Sequence, residues 1–129
     1  MGLLDRMLHN QQENLQRGWK VLTTIDQLEE IVTASQQKPV GILKHSISCG
    51  ISAMIKWQLE SNWDLEPADL DFYYLDLINH RPVSNKIAEH FDVIHQSPQL
   101  LLIKEGKAVY TPSHHMISMQ GLKKALSGV

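Results

Sequence analysis

The sequence predicts a three-layer α/β domain built on a central mixed sheet of four to five strands. Runs rich in β-forming residues alternate with helical patterns along the chain, which favours parallel strands with helices on both faces of the sheet. The last two strands are joined by a tight connection at residues 105–107, so they form a hairpin of opposite sense. A helical pattern then closes the chain, and the order of elements becomes β-α-β-α-β-α-β-β-α.

The composition is that of one globular domain, long enough to bury a core. The chain has 129 residues, of which 43% are hydrophobic and 20% charged, and its net charge is −2. No stretch is dense in Lys or Arg, so a nucleic-acid partner is not expected. The apolar runs are shorter than the roughly 18 residues of a membrane span, and no signal-peptide pattern opens the sequence. We therefore expect a cytoplasmic protein without a membrane partner, and we expect a monomer.

The first elements of the domain follow a polar appendage. Residues 1–18 are rich in Gln and Asn, and a single domain is predicted over residues 19–129. A short strand at 19–22 is followed by Thr24 and Gln27, which have the spacing of a capping box at a helix start. A helix therefore follows the first strand directly.

The later elements are predicted from the same kinds of pattern. A mostly apolar run after a proline is typical of a buried strand, whereas apolar residues three and four apart are typical of a helix. Pro82 suits the first turn of a helix. These patterns predict strands at residues 40–45, 71–76, 99–104 and 107–110, and helices at 51–59, from 81 onward and at 116–126.

The single cysteine is the first candidate for chemistry. Cys49 follows the strand at 40–45 and a helix starts at once, so its sulfur is expected beside a helix N-terminus at the carboxyl edge of the sheet. Unpaired backbone N–H groups and the positive end of the helix dipole favour a thiolate there. Gly50 puts no side chain in the path of an approaching disulfide. The alternative is an inert cysteine that packs as a small buried hydrophobic residue.

Pro98 is the second candidate. It stands directly before the apolar strand at 99–104, where a proline can simply open an edge strand. The functional alternative is a cis bond between Ser97 and Pro98. That bond would turn the backbone of Ser97 towards Cys49, where it would pair with an incoming peptide.

Taken together, these features resemble the thioredoxin fold, which has a cysteine after its second strand and a proline before its fourth. The segment Cys49-Gly50-Ile51-Ser52 is similar to the Cys-Gly-Phe-Ser of monothiol glutaredoxins, with Ser52 where a dithiol protein has its second cysteine. Residues 44–53, Lys-His-Ser-Ile-Ser-Cys-Gly-Ile-Ser-Ala, more closely resemble the monothiol bacilliredoxin family of the bacillithiol system. This resemblance spans residues 19–127 and departs at Gly50, where family members usually carry proline.

The resemblance implies a thiol–disulfide oxidoreductase that removes bacillithiol from S-bacillithiolated proteins. Cys49 would attack the mixed disulfide and carry bacillithiol until a second thiol, or another redoxin, releases it. Ser52 cannot form an internal disulfide, so resolution comes from outside the chain. Bacillithiol is then a co-substrate, the bacillithiolated client proteins are the partners, and no cofactor or metal is expected to be bound.

The resemblance also implies roles for the residues around Cys49. Ser52 would either donate to the thiolate or satisfy the backbone of the first helical turn. Lys44 and His45, at the end of a strand, would contact the malate carboxylates of bacillithiol, or else be solvated. The candidate site thus comprises catalytic Cys49, Ser52 and Pro98, and substrate-binding Lys44, His45, Gly50 and Ser97.

Two other classes of function stay open from the sequence. Glutaredoxins with Cys-Gly-Phe-Ser bridge an iron–sulfur cluster between two subunits, and Cys49 would serve equally in such a binding module. A thioredoxin-like protein without a redox role is the other alternative. Histidines do not add a metal site, because only the adjacent His114 and His115 approach a ligand spacing. The seven histidines are His9, His45, His80, His90, His95, His114 and His115.

Overall fold

A computed structural model describes residues 18–128, so residues 1–17 of the predicted appendage lie outside the described residues. The strands are β1 (Trp19–Val21), β2 (Val40–His45), β3 (Asp71–Asp76), β4 (Gln99–Lys104) and β5 (Lys107–Tyr110). The helices are α1 (Asp26–Ala34), α2 (Gly50–Ser61), α3 (Arg81–His90) and α4 (Met119–Leu126). A short 3-10 turn, His114–Met116, precedes α4.

The five strands form one mixed sheet in the order β1-β3-β2-β4-β5. β1 and β2 run parallel to β3, whereas β4 is antiparallel to β2 and β5 is antiparallel to β4. The central strand β2 is buried along its whole length, as its apolar run predicts. The carboxyl ends of β2 and β3 therefore meet the start of β4 at one edge of the sheet, and both Cys49 and Pro98 lie at that edge.

Helices cover both faces of the sheet. One buried cluster, which includes Ile42 and Ile87, packs α1 and α3 against the first face. The other, which includes Leu43 and Leu59, packs α2 and α4 against the second face. The neighbours Ile42 and Leu43 belong to different clusters because side chains alternate along a strand. This alternation decides where the polar residues at the end of β2 point.

The predicted three-layer α/β fold class is confirmed, and the bounds of β2 to β5 agree with the sequence patterns. The predicted capping box forms at the start of α1: the Gln27 N–H donates to Thr24 Oγ1, and the Thr24 N–H donates to Gln27 Oε1. No helix within residues 18–128 is long and apolar enough to cross a membrane.

The last helix begins later than its sequence pattern suggests. It starts at Met119 instead of residue 116, because the Ser118 hydroxyl accepts a hydrogen bond from the Gly121 N–H and caps the helix there. Ile117 is also buried and extends the apolar pattern in front of the cap. The pattern therefore predicts a helix three residues too long.

Candidate active site

Cys49 is the residue at which β2 gives way to α2. It occupies the N-cap of α2, with φ −109° and ψ 121°, and its side chain is a free, half-buried thiol. Its N–H donates to Ser46 O at 3.1 Å, while its carbonyl accepts from the Ala53 N–H at 3.0 Å. The backbone is thus folded tightly around the cysteine. The thiol lies at the start of a twelve-residue helix, next to backbone N–H groups that have no acceptor within the helix.

Ser52 stands one helical turn after Cys49 and is fully buried. Its Oγ lies 2.7 Å from His45 Nδ1 and accepts a hydrogen bond from the Ser46 N–H at 3.1 Å. Neither of these bonds involves the sulfur of Cys49. Of the two roles considered from the sequence, the structure shows the backbone one, and it adds a histidine partner that the sequence does not suggest.

His45 is buried with 5% of its surface exposed, and its ring packs against Tyr74 with the centroids 5.6 Å apart. Burial, with a smaller contribution from the positive charge of Lys56, lowers the pKa of His45 to about 4. The imidazole is therefore neutral at physiological pH. In the tautomer with its proton on Nε2, Nδ1 accepts the Ser52 hydroxyl proton, so Ser52 both donates and accepts.

Lys44 is fully buried on the opposite face of the sheet. Its Nζ donates to Ser84 O at 3.2 Å and lies 3.3 Å from His95 Nδ1. Burial lowers the pKa of Lys44 to about 8, with a smaller contribution from the positive charge of Arg81. Burial, with repulsion from Lys44 and Arg81, also lowers the pKa of His95.

Lys44 and His45, the predicted contacts of the malate carboxylates, do not lie together. Consecutive residues of a strand point to opposite faces, so Lys44 lies under α3 while His45 lies under α2. The alternative of a solvated strand end is wrong, because neither side chain is exposed. Contact of either side chain with a ligand stays a prediction.

The segment before β4 supplies the other wall of the site. The Ser97–Pro98 peptide bond is cis, Pro98 is buried, and the hydroxyl of the half-buried Ser97 has no hydrogen-bond partner among residues 18–128. Lys44 pairs with Gln99 across the antiparallel β2–β4 ladder, and this is the last pair of the ladder. The segment that enters β4 through the cis bond therefore lies at the same edge of the sheet as the residues that lead from β2 to Cys49.

Gly50 leaves the approach to the thiol open. It is the exposed first residue of α2, and a Cβ added there would have no atom within 4 Å. The exposed side chains of Ile47 and Ile51 stand on either side of Cys49. The half-buried thiol thus lies in a stretch of chain that presents two apolar side chains to solvent.

Sequence reasoning missed three residues that hold the site together: Ser46, Ser84 and His95. A serine in the first turn of a helix and a histidine in a loop carry no sequence signal of their own. No three His, Cys, Asp or Glu side chains within residues 18–128 are grouped so as to hold a metal ion.

A half-exposed cysteine at a helix start, beside a proline-led antiparallel strand of a mixed sheet, defines the class of thioredoxin-fold thiol oxidoreductases. Solved structures agree. A thioredoxin-fold structure described as a proposed oxidoreductase is 34% identical, with a TM-score of 0.74, and the match covers 87% of this chain and 96% of that one. Fasciola hepatica thioredoxin is 19% identical with a TM-score of 0.66, covering 84% of this chain and 97% of its own. Malassezia sympodialis thioredoxin is 20% identical with a TM-score of 0.66, covering 84% and 88%.

Within that class, the chain belongs to the monothiol bacilliredoxin family. Residues 20–122 match the family described as monothiol bacilliredoxin BrxC. The resemblance read from residues 44–53 is therefore confirmed at the level of the family.

Proposed function

We propose that this protein is a cytoplasmic monothiol bacilliredoxin that removes bacillithiol from S-bacillithiolated proteins. The observation that carries the proposal is that the chain has one accessible thiol and a buried serine where a dithiol protein has its second cysteine. Cys49 is the only cysteine of the chain, and the residue at the resolving position, Ser52, is buried and bonded to His45 and Ser46. An internal disulfide is therefore impossible, and a thiol from outside must complete the cycle.

The proposed first step is attack by the Cys49 thiolate on the bacillithiol sulfur of the protein–bacillithiol disulfide. That disulfide breaks, a Cys49–bacillithiol disulfide forms, and the protein thiolate leaves and takes up a proton from water. In the second step, the thiolate of another bacillithiol attacks the bacillithiol sulfur held on Cys49. Cys49 leaves as a thiolate and bacillithiol disulfide is released, so atoms and electrons balance without a bound cofactor.

The wall opposite the thiol supports a role in binding. The backbone at Ser97, directly before the cis bond and outside the β2–β4 ladder, would pair with the peptide of a client protein, and Gly50 leaves room for it. The exposed Ile47 and Ile51 would pack against apolar parts of that client. Lys44 and His45 are both buried, so their contact with the malate carboxylates would require these side chains to become accessible in the complex.

The test is intact-protein mass spectrometry after incubation with bacillithiol disulfide, with glutathione disulfide in parallel. The expected result is one added bacillithiol on the wild-type protein, little glutathione, and no adduct on Cys49→Ser. Adducts of both thiols at equal rates would contradict bacillithiol specificity. A folded wild-type protein that forms neither adduct would contradict the proposed exchange, and a brown dimer binding iron and sulfide would favour a cluster carrier.

A further inference from the structure

Lys44 is a buried cation that the proposed exchange does not use. Its side chain is fully buried in the central strand, and none of the ion pairs within residues 18–128 includes it. The titratable groups that face it are His95 and Arg81, and neither supplies a negative charge. A buried amine without a carboxylate costs folding free energy. Stability alone therefore does not account for a lysine at this position.

The contacts of Lys44 join three parts of the molecule. Lys44 belongs to β2, and its Nζ contacts Ser84 O in α3 and His95 Nδ1 in the segment that leads into the cis bond. Gln99 is the cross-strand partner of Lys44. Its Nε2 donates a hydrogen bond at 3.1 Å to the carbonyl of Ile94, the residue before His95. Two neighbouring buried side chains thus hold two consecutive residues, 94 and 95, just before Ser97.

The segment held in this way carries the part of the site that meets a substrate backbone. Ser97 follows His95 by two residues and precedes Gln99 by two, so it lies at the edge of the sheet where β2 leads into the loop that carries Cys49. A shift of residues 94–97 would move the Ser97 backbone relative to the sulfur without touching Cys49. Misplacement of a binding group by about 1 Å can slow a reaction substantially.

We propose that Lys44 is a positioning residue for the exchange reaction: its buried ammonium holds residues 94–97 so that the Ser97 backbone is set opposite Cys49 to receive a peptide disulfide. Lys44 touches neither the sulfur nor the substrate in this role. The proposal rests on the proposed function only in assigning exchange to Cys49. It does not depend on bacillithiol as the thiol.

Replacement of Lys44 by methionine is a suitable test because it leaves no buried polar group without a hydrogen-bond partner. Methionine keeps an unbranched apolar stem, Ser84 O remains an acceptor within α3, and His95 Nδ1 still has Ser84 Oγ at 3.4 Å. The Lys44→Met protein is therefore expected to unfold at the same urea concentration as the wild type, or at a higher one.

The experiment compares two disulfides and one alkylating agent. The first disulfide is a blocked Gly-Cys-Gly peptide joined to 2-mercaptoethanol, which offers a backbone to Ser97. The second is bis(2-hydroxyethyl) disulfide, which offers none. Iodoacetamide reports the reactivity of the thiolate itself. We expect Lys44→Met to slow exchange with the peptide disulfide about tenfold, and to leave the other two rates within about twofold.

Two further variants control the result. Lys104→Met removes a strand lysine that likewise donates to helix carbonyls, those of Ala125 and Leu126, but lies at the far end of β4. It should change none of the three rates. His95→Ala removes the loop end of the contact while keeping Lys44, and it should reproduce the selective loss even if Lys44→Met folds poorly.

Deuterium uptake over residues 92–97 gives a readout that needs no catalysis. Lys44→Met and His95→Ala should take up deuterium faster there than the wild type, with residues 46–52 unchanged. Equal slowing of all three rates would mean that Lys44 acts on the thiol itself, and unchanged rates with unchanged uptake would exclude a positioning role. If the variants show the expected changes in rate and uptake but the wild-type protein does not react with bacillithiol disulfide, the proposed function alone is overturned.

Discussion

Ser52 Oγ lies 2.7 Å from His45 Nδ1, at the position where a dithiol redoxin carries its second thiol. The same oxygen accepts the Ser46 N–H, so one buried hydroxyl connects the end of β2, the loop that follows it and the first turn of α2. The backbone N–H of Cys49 donates a hydrogen bond to the carbonyl of Ser46 in that loop. Ser52 thus supports the backbone around Cys49 and makes no hydrogen bond to the sulfur.

Ser52→Ala is expected to lower stability while leaving adduct formation in place. The substitution orphans the buried Ser46 N–H and removes the partner of His45, which together cost about 1–3 kcal/mol. Cys49 keeps its reactivity because neither lost bond reaches the sulfur. Urea denaturation measures the first effect, and intact mass after incubation with bacillithiol disulfide measures the second.

A matched control is Ser35→Ala at the end of α1. Ser35 is also buried, and its Oγ also makes two backbone hydrogen bonds, to Val32 O and from the Gly106 N–H. It should lose a similar amount of stability and react like the wild type. If the Ser52 variant stayed folded but formed no adduct, a direct role of its hydroxyl at the thiolate would have to replace the role described above.

Stability should fall in acid through His45. The pKa of His45 is lowered to about 4 in the folded protein, mainly by burial, from an ordinary value near 6.5. Between these values the unfolded chain binds the proton and the folded protein does not. The free energy of unfolding therefore decreases as the pH falls. The loss begins near pH 6.5, is complete near pH 4 and amounts to about 3 kcal/mol. Urea denaturation across that range measures it.

His45→Asn separates this effect from the titration of other groups. An asparagine places an amide near Nδ1, where it can bond to Ser52, and it does not titrate. The free energy of unfolding of the variant should therefore fall less steeply than that of the wild type between pH 6.5 and pH 4. Parallel curves would show that His45 is protonated as readily in the folded protein as in the unfolded chain.

Much of the fold follows from the sequence because short-range patterns specify it. The run of β2 after Pro39, the capping box at Thr24 and the glycine turn before β5 each depend on a few adjacent residues. The place of Cys49 is predictable for the same reason, since a strand end and a helix start on either side define it. These local patterns agree with the tertiary structure, as expected for a foldable sequence.

The partners of the site residues depend on contacts that adjacent residues do not specify. Lys44 and His45 look alike in the sequence, yet strand alternation sends one under α3 and the other under α2. Ser84 and His95 reach Lys44 across 40 and 51 residues of chain. Such distant pairings arise only once the helices are packed, so the buried polar network is the part that sequence patterns leave out.

Gly50→Pro is expected to be tolerated and slightly stabilising. Cys49 already has the extended backbone that a following proline requires, and Gly50 is the first residue of α2 with open space around it. Proline there restricts the unfolded chain and should add about 0.4–1 kcal/mol to the free energy of unfolding. Urea denaturation checks this, and the rate of adduct formation at Cys49 shows whether the stiffer loop changes the reaction.

Ala53→Pro is the control for that substitution. The Ala53 N–H donates to the Cys49 carbonyl, so proline at this position removes a hydrogen bond and should destabilise the protein. A Gly50→Pro protein as unstable as Ala53→Pro would indicate that residue 50 needs a conformation that proline cannot adopt.

Gly41→Ala should be strongly destabilising because the ring of Phe72 occupies the space beside Gly41. A Cβ on Gly41 would lie 2.6 Å from Cδ2 of Phe72, its partner in the parallel register. The Phe72 ring has little room to move, since it packs against Trp19 at 4.6 Å and Trp63 at 4.7 Å between ring centroids. Overpacking of this kind costs about 1–3 kcal/mol. Urea denaturation at pH 7 measures the loss.

Gly50→Ala is the matched control, because the added methyl group meets no atom there and should leave stability nearly unchanged. If the clash with Phe72 is the cause, Phe72→Leu should recover part of the loss when it is combined with Gly41→Ala, although alone it removes buried surface. Additive losses in the double variant would mean that the two residues do not compete for the same space, and the position of the Phe72 ring would not explain the glycine.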